Sequence, residues 1–115
     1  FKAAWHPLQG CWGQYCTQIT GNYLFHSSPY NSPNKNDLSY RLYNQLGTVC
    51  SHGCVRLTVA DAKWIYDNCP LGTTVSIYNA SSLPVPKPSA PWLDISSPNR
   101  GWDPTDPDPA NPWNK

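Results

Sequence analysis

The sequence predicts a small, mostly β domain with one or two short helices and an extended, proline-rich C-terminal tail. Three observations carry this. Two short apolar runs, Tyr15-Cys16-Thr17-Gln18-Ile19 and Tyr23-Leu24-Phe25-His26, flank the turn signal Gly21-Asn22 and read as a hairpin. Thr73-Thr74-Val75-Ser76-Ile77-Tyr78 alternates and is β-branched, as strands are. From Ala80 the composition shifts, and residues 84–115 hold nine of the 13 prolines, which suits an extended course. The organisation expected is therefore a domain over 1–79 and a tail over 80–115.

Before the hairpin, Pro7, Gly10 and Gly13 break an aromatic segment that reads as loop. His6, in a Trp-His-Pro sequence, is expected at the surface. Ser27 to Asn36 is rich in Ser, Pro and Asn and reads as a surface loop, placed to rim a site beside His26. Asp37 or Ser39 is expected to cap a helical turn carrying Tyr40, Leu42, Tyr43 and Leu46, ended by Gly47. Thr58, with Asp61 three residues on, starts an amphipathic helix through Asn68, and Pro70 and Gly72 follow it. In the tail, Trp92, Trp102 and Trp113 predict that part of the chain lies along the domain, anchored by indoles; a flexible spacer is the alternative. Asp103, Asp106 and Asp108 lack the glycine and terminal glutamate of a calcium loop and read as solvated.

A net charge of +1 with 13% charged residues gives no footprint for nucleic acid. No apolar run reaches the length of a membrane span. The chain opens at Phe1 with no signal-peptide pattern, which reads as a processed or partial chain. Five cysteines in 115 residues point to an oxidising compartment. The number is odd, so if Cys54 is a free nucleophile, Cys11, Cys16, Cys50 and Cys69 remain for bridges. Three pairings are possible; Cys11–Cys16 with Cys50–Cys69 is favoured, the first closing a local loop and the second stapling the turn before Cys54 to the end of the helix. The Cys/His spacing is not that of a zinc knuckle, so no metal and no cofactor is expected.

The chemistry concentrates in Ser51-His52-Gly53-Cys54-Val55-Arg56-Leu57. A thiol after a glycine turn can be activated by a nearby base, and successive backbone N–H groups there can hold an oxyanion. The bland alternative is a buried, inert cysteine beside a structural histidine. His52 lies only two positions from Cys54, and across the intervening glycine turn its ring is expected to point away from the thiol. His26 arrives from a separate strand and is the better general base, with the neighbouring Ser27 backbone able to fix its tautomer.

This heptad, with Asp61-Ala62-Lys63-Trp64-Ile65-Tyr66-Asp67-Asn68, Gly72-Thr73-Thr74-Val75 and the upstream Phe25-His26-Ser27-Ser28-Pro29-Tyr30, resembles the L,D-transpeptidase (YkuD-type) catalytic domain. The resemblance covers about residues 12–79, and Trp102-Asp103-Pro104-Thr105-Asp106-Pro107 is similar to the C-termini of clostridial-type members. It implies a β-sandwich with one or two short helices, lacking the family's first strands, so that Phe1 falls within the domain. It also implies an extracytoplasmic, cell-wall enzyme whose partners are peptidoglycan stem peptides, as donor and acceptor, and whose inhibitors are carbapenem-type β-lactams.

In that chemistry Cys54 attacks the third-residue carbonyl of a stem tetrapeptide and expels D-alanine. An amine of a second stem then takes the acyl group, giving a 3→3 cross-link. His26 receives the thiol proton and can hold an imidazolium–thiolate pair at rest. Backbone N–H groups of His52, Gly53 and Cys54 form the oxyanion hole, and the His52 ring is a second polar wall. Ser27 orients His26, Ser51 buttresses the turn, and Tyr30 flanks the substrate channel. Arg56 either binds a substrate carboxylate or fixes the loop by a salt bridge, the second being favoured. The segment 27–50 is longer than the family's usual loop and sits where a lid would. Two other outcomes stay open: hydrolysis of the acyl-enzyme by an L,D-carboxypeptidase, and a catalytically idle peptidoglycan-binding module.

Overall fold

The computed structural model describes residues 1–21, 23–46, 54–75, 93–94 and 96–114. The described strands are β1 (Lys2–Leu8), β2 (Cys11–Thr20), β3 (Tyr23–Ser27) and β4 (Val55–Leu57), forming one sheet in the order β1-β2-β3-β4. With them are two helices, α1 (Tyr40–Tyr43) and α2 (Val59–Asn68), and a 3-10 turn at Pro112–Asn114. The fold is mostly β.

β1 corrects the expectation of an N-terminal loop. It pairs antiparallel with β2 from Lys2↔Thr17 to Leu8↔Cys11, around a turn in which Gly10 takes φ +78°. Pro7 looks like a strand breaker in the sequence. Among the described residues β1 pairs on one side only, so the missing N–H can face away from the sheet at little cost. The next hairpin joins β2 to β3 through a turn at Gly21 (φ +53°), with an irregularity between Gln18 and Thr20; Asn22 lies outside the described residues.

β3 and β4 run parallel, with Phe25↔Val55, His26↔Arg56 and Ser27↔Leu57 in register. A parallel pair needs a long crossover, and the chain between them supplies it. Its first residues are no surface loop: Ser27, Ser28, Pro29 and Tyr30 are all buried. Tyr30 is held by Trp12 in both directions, Trp12 N–H to Tyr30 O at 2.9 Å and Tyr30 N–H to Trp12 O at 2.8 Å, which satisfies backbone groups that could not otherwise be buried. The core cluster is Tyr30, Leu38, Tyr43, Val59 and Leu93, with Trp5, Trp12, Tyr15, Tyr40 and Leu46 packed on it.

Ser39 occupies the N-cap position of α1 without a side-chain bond. Asp37 turns back instead, and its carboxylate accepts from Ser32 Oγ at 2.6 Å. Thr58 caps α2 as the sequence predicts, its Oγ1 accepting from Asp61 N–H at 3.4 Å. Thr73, Thr74 and Val75 are exposed and carry no strand. Ser76, Ile77 and Tyr78 of the expected strand lie outside the described residues.

The tail packs onto the domain, and its aspartates are where the sequence reading is most clearly corrected. Asp103 and Asp106 are fully buried, and Asp108 is half-buried in an ion pair with Lys35 at 2.8 Å. Asp103 Oδ2 accepts from the Val59 N–H at 3.0 Å, and Thr105 Oγ1 accepts from the Ala60 N–H at 3.0 Å. The first N–H groups of a helix have no partner within it, and they carry partial positive charge. Short polar side chains from a distant segment therefore find at α2 an environment their own proline-rich neighbourhood does not reveal. Burial nevertheless pushes the carboxyls of both Asp103 and Asp106 above the usual range.

Other ties run to the crossover. Leu93 N–H donates to Asn44 Oδ1 and Asn44 Nδ2 donates to Leu93 O, each at 3.0 Å. Leu38 N–H donates to Gly101 O at 2.9 Å, and a Cβ at Gly101 would stand 2.3 Å from Asn36 O. Among the described residues, Leu93 and buried aspartates hold the tail more than the indoles do: Trp113 is exposed, its Nε1–H donating to Asn99 O at 3.0 Å, and Trp102 is half-buried. Trp92 lies outside the described residues.

Candidate active site

β3 ends at the place where β4 begins beside it, and this junction gathers the chemistry. Because the strands are parallel, His26 stands next to Arg56, with Cys54 just before β4. His26, Cys54, Arg56, Cys11 and His6 all line one cleft of about 470 Å³. His6 is thus a cleft residue on β1, not a surface residue, and its ring meets Phe1 at 5.0 Å between centroids.

The imidazole of His26 is buried, with its Nδ1 2.5 Å from the Ser27 carbonyl oxygen. A carbonyl only accepts, so Nδ1 carries the proton and the neutral ring keeps its lone pair on Nε2. The Ser27 hydroxyl is itself fixed, accepting from Gln14 N–H at 2.9 Å and donating to Ser28 O at 2.9 Å. Burial pushes the His26 pKa down; the Ser27 bond pulls it up, and the Arg56 charge lowers it further. The net direction is down, which favours a neutral imidazole at rest over the imidazolium of an ion pair.

Gly13, which the sequence reading passed over as a loop residue, makes this possible. A Cβ there would lie 3.0 Å from Cys16 Sγ, 3.1 Å from His26 Cβ and 3.3 Å from His26 Cγ. β2 can approach His26 because position 13 has no side chain. Replacement of Gly13 by alanine is expected to lower stability by about 1–3 kcal/mol through overpacking and to slow acylation of Cys54 by displacing the imidazole. Thermal melting and the acylation rate measured together test this; an unchanged rate would show that the ring tolerates the shift.

The other expected site residues are distributed as follows. Tyr30 does not flank the cleft: it is buried in the core, its ring edge-on to Trp5 at 5.0 Å. Arg56 forms no salt bridge among the described residues, and its Nε and Nη1 are buried with no hydrogen-bond partner. Ser51, His52 and Gly53 lie outside the described residues.

Cys11, Cys16 and Cys69 carry free thiols. The Cys11–Cys16 bridge fails on geometry: both lie on β2, five residues apart, so their Cα atoms are about 16 Å apart, far beyond disulfide reach. Cys50, expected to join Cys69, lies outside the described residues. Cys16 is fully buried near Cys54, and burial pushes its pKa up to about 12, so it stays a neutral packing residue. No group of three or more metal-ligating side chains occurs among the described residues, and no helix there is long and apolar enough to cross a membrane.

A thiol and a singly tautomeric imidazole facing one cleft on a mixed sheet is an arrangement suited to acyl transfer through a covalent intermediate. Comparison with known proteins agrees with that class. Residues 3–77 match the L,D-transpeptidase catalytic domain family, YkuD, and the chain belongs to it. The match begins nine residues before the resemblance read from the motifs and takes in nearly all of β1. Among curated proteins the chain is similar to "Putative L,D-transpeptidase YciB" of Bacillus subtilis (strain 168), 47% identical over 57 residues. That alignment spans 50% of this chain and 28% of the relative's length. No solved structure matches the chain significantly.

Proposed function

We propose that this chain carries out L,D-transpeptidation of peptidoglycan outside the cytoplasm, with Cys54 as nucleophile and His26 as general base. The observation that carries the reading is the shared cleft of Cys54 and His26, with the His26 tautomer set by the Ser27 carbonyl. In this reading His26 Nε2 takes the thiol proton as sulfur attacks the third-residue carbonyl of a donor stem tetrapeptide. The tetrahedral oxyanion is held by N–H groups of the turn 52–54. Its collapse returns the proton to the departing amine and releases D-alanine, leaving a thioester on Cys54. An amine from a second stem, deprotonated by the same imidazole, then attacks the thioester and gives the 3→3 link.

The test is incubation with tetrapeptide-bearing muropeptides, followed by mass spectrometry of the products. The expected result is 3→3 dimers together with free D-alanine, and a carbapenem mass adduct located on Cys54. Tripeptides without dimers would replace the reading with an L,D-carboxypeptidase. No turnover and no adduct would leave an idle binding module.

A further inference from the structure

Among the described residues, no carboxylate forms an ion pair with Arg56. This residue sits on β4 in register with His26 and lines the same cleft as His26 and Cys54. Its Nε and Nη1 are removed from solvent, and among the described residues nothing accepts a hydrogen bond from either. Leaving ionic N–H groups buried and unmatched is costly, so a structural role would be expected to come with a carboxylate.

Among the described residues no such carboxylate reaches it. The chain contains seven acidic residues, all aspartates, and none of them lines the cleft. Most are bound elsewhere: Asp37 to Ser32, Asp67 to Lys63, Asp94 to Ser96, Asp103 to the start of α2, and Asp108 to Lys35. The positive field of Arg56 is felt inside the cleft: burial raises the Cys11 pKa and lowers that of His26, and the Arg56 charge acts downward on both. A half-buried cation in a cleft lined by no carboxylate is screened less than one in open water.

From this we infer that Arg56 is a specificity-determining residue that reads a free carboxylate on the acyl donor, the one on the residue expelled from Cys54. This rests on the transpeptidase reading above. In a donor peptide the terminal carboxylate follows the scissile carbonyl by a single residue. A guanidinium one strand position from His26 and two residues after Cys54 is spaced to hold that carboxylate while the carbonyl meets the thiol. The carboxylate supplies the missing acceptor, and it leaves with the departing amino acid, so Arg56 retains no hold on the acyl-enzyme. A donor extended by one more residue, or capped as an amide, offers a neutral group there and leaves the cation unmatched.

The experiment compares two synthetic donor tetrapeptides, one ending in D-alanine with a free carboxylate and one in D-alaninamide. Wild-type protein and Arg56→Gln and Arg56→Lys variants are each checked for folding by circular dichroism. Wild-type kcat/KM is expected to favour the acid by about 30-fold or more, the scale of a charge-assisted contact. Arg56→Gln is expected to bring the ratio within about 3-fold of unity by losing rate on the acid alone, and Arg56→Lys to restore part of it.

Binding of the same two peptides to Cys54→Ala by calorimetry reads the preference without turnover. Preference for the acid there supports the assignment to Arg56 even if no transfer occurs, which would instead sink the transpeptidase reading. Equal turnover of acid and amide by wild type overturns the assignment while leaving transpeptidation standing. An acid preference that survives in Arg56→Gln overturns it as well, and if that variant does not fold, the wild-type and Arg56→Lys ratios decide.

Discussion

Replacing His26 with glutamine is expected to slow acylation of Cys54 by about 10³-fold near neutral pH, within the 10²–10⁴ range of general base catalysis. Glutamine approximates the volume of the ring, so the buried site is not emptied, and an amide cannot take the thiol proton. The wild-type rate should also show an acidic limb that lies below 6.5, the ordinary imidazole value, because burial above all, with help from Arg56, holds the His26 pKa down. The sign follows from the role: the imidazolium has no lone pair on Nε2, so activity falls as pH drops through the lowered pKa. Carbapenem acylation followed by mass spectrometry from pH 4 to 8, in ~0.5-unit steps, reads both effects. A limb at or above 6.5, or a His26→Gln variant with wild-type rates, would remove His26 from the mechanism.

Removing residues 93–115 is expected to abolish cooperative folding. The tail supplies Leu93, fully buried in the core cluster, and emptying such a site alone costs about 2–5 kcal/mol. It also supplies the acceptors for two of the first N–H groups of α2 and the partners of Asn44, Leu38 and Lys35. Lost together, these exceed much of the ~5–15 kcal/mol that holds a domain of this size. The milder Asp103→Ala variant is expected to fold but to lose about 2–3 kcal/mol, since it orphans Val59 N–H beside a buried gap. Because α2 follows β4 directly, its loosening should also slow acylation. A truncated chain that melts cooperatively within a few degrees of the intact one would make the tail an appendage.

The candidate site was legible in part because its chemistry is written in short runs. His26 with Ser27 after it, and Cys54 with Arg56 after it, can be picked out by residue type and spacing. Gly13 and His6 could not. Each matters through a neighbour across the sheet, and a glycine that makes room for an imidazole reads locally as a glycine that breaks a strand. Sequence likewise could not tell whether Arg56 forms a salt bridge, since that depends on where the seven aspartates lie, and among the described residues none pairs with it.

What the sequence determined by itself was local or cooperative over few residues. The β2–β3 hairpin declares itself through Gly21-Asn22 between apolar runs, α2 through the Thr58 cap and its amphipathic face, and the family through motifs in their order. Tertiary structure decided whatever needed a partner far along the chain. β1 exists because ten-residue β2 offers it an edge on which Pro7 is harmless. Tyr30 is core because Trp12 satisfies its backbone. Asp103 and Asp106 are buried because the start of α2 and the interior receive them, where polar residues between prolines would ordinarily stay in water. Residue type and short-range spacing fix a polar group's needs; only the assembled fold fixes which group meets them.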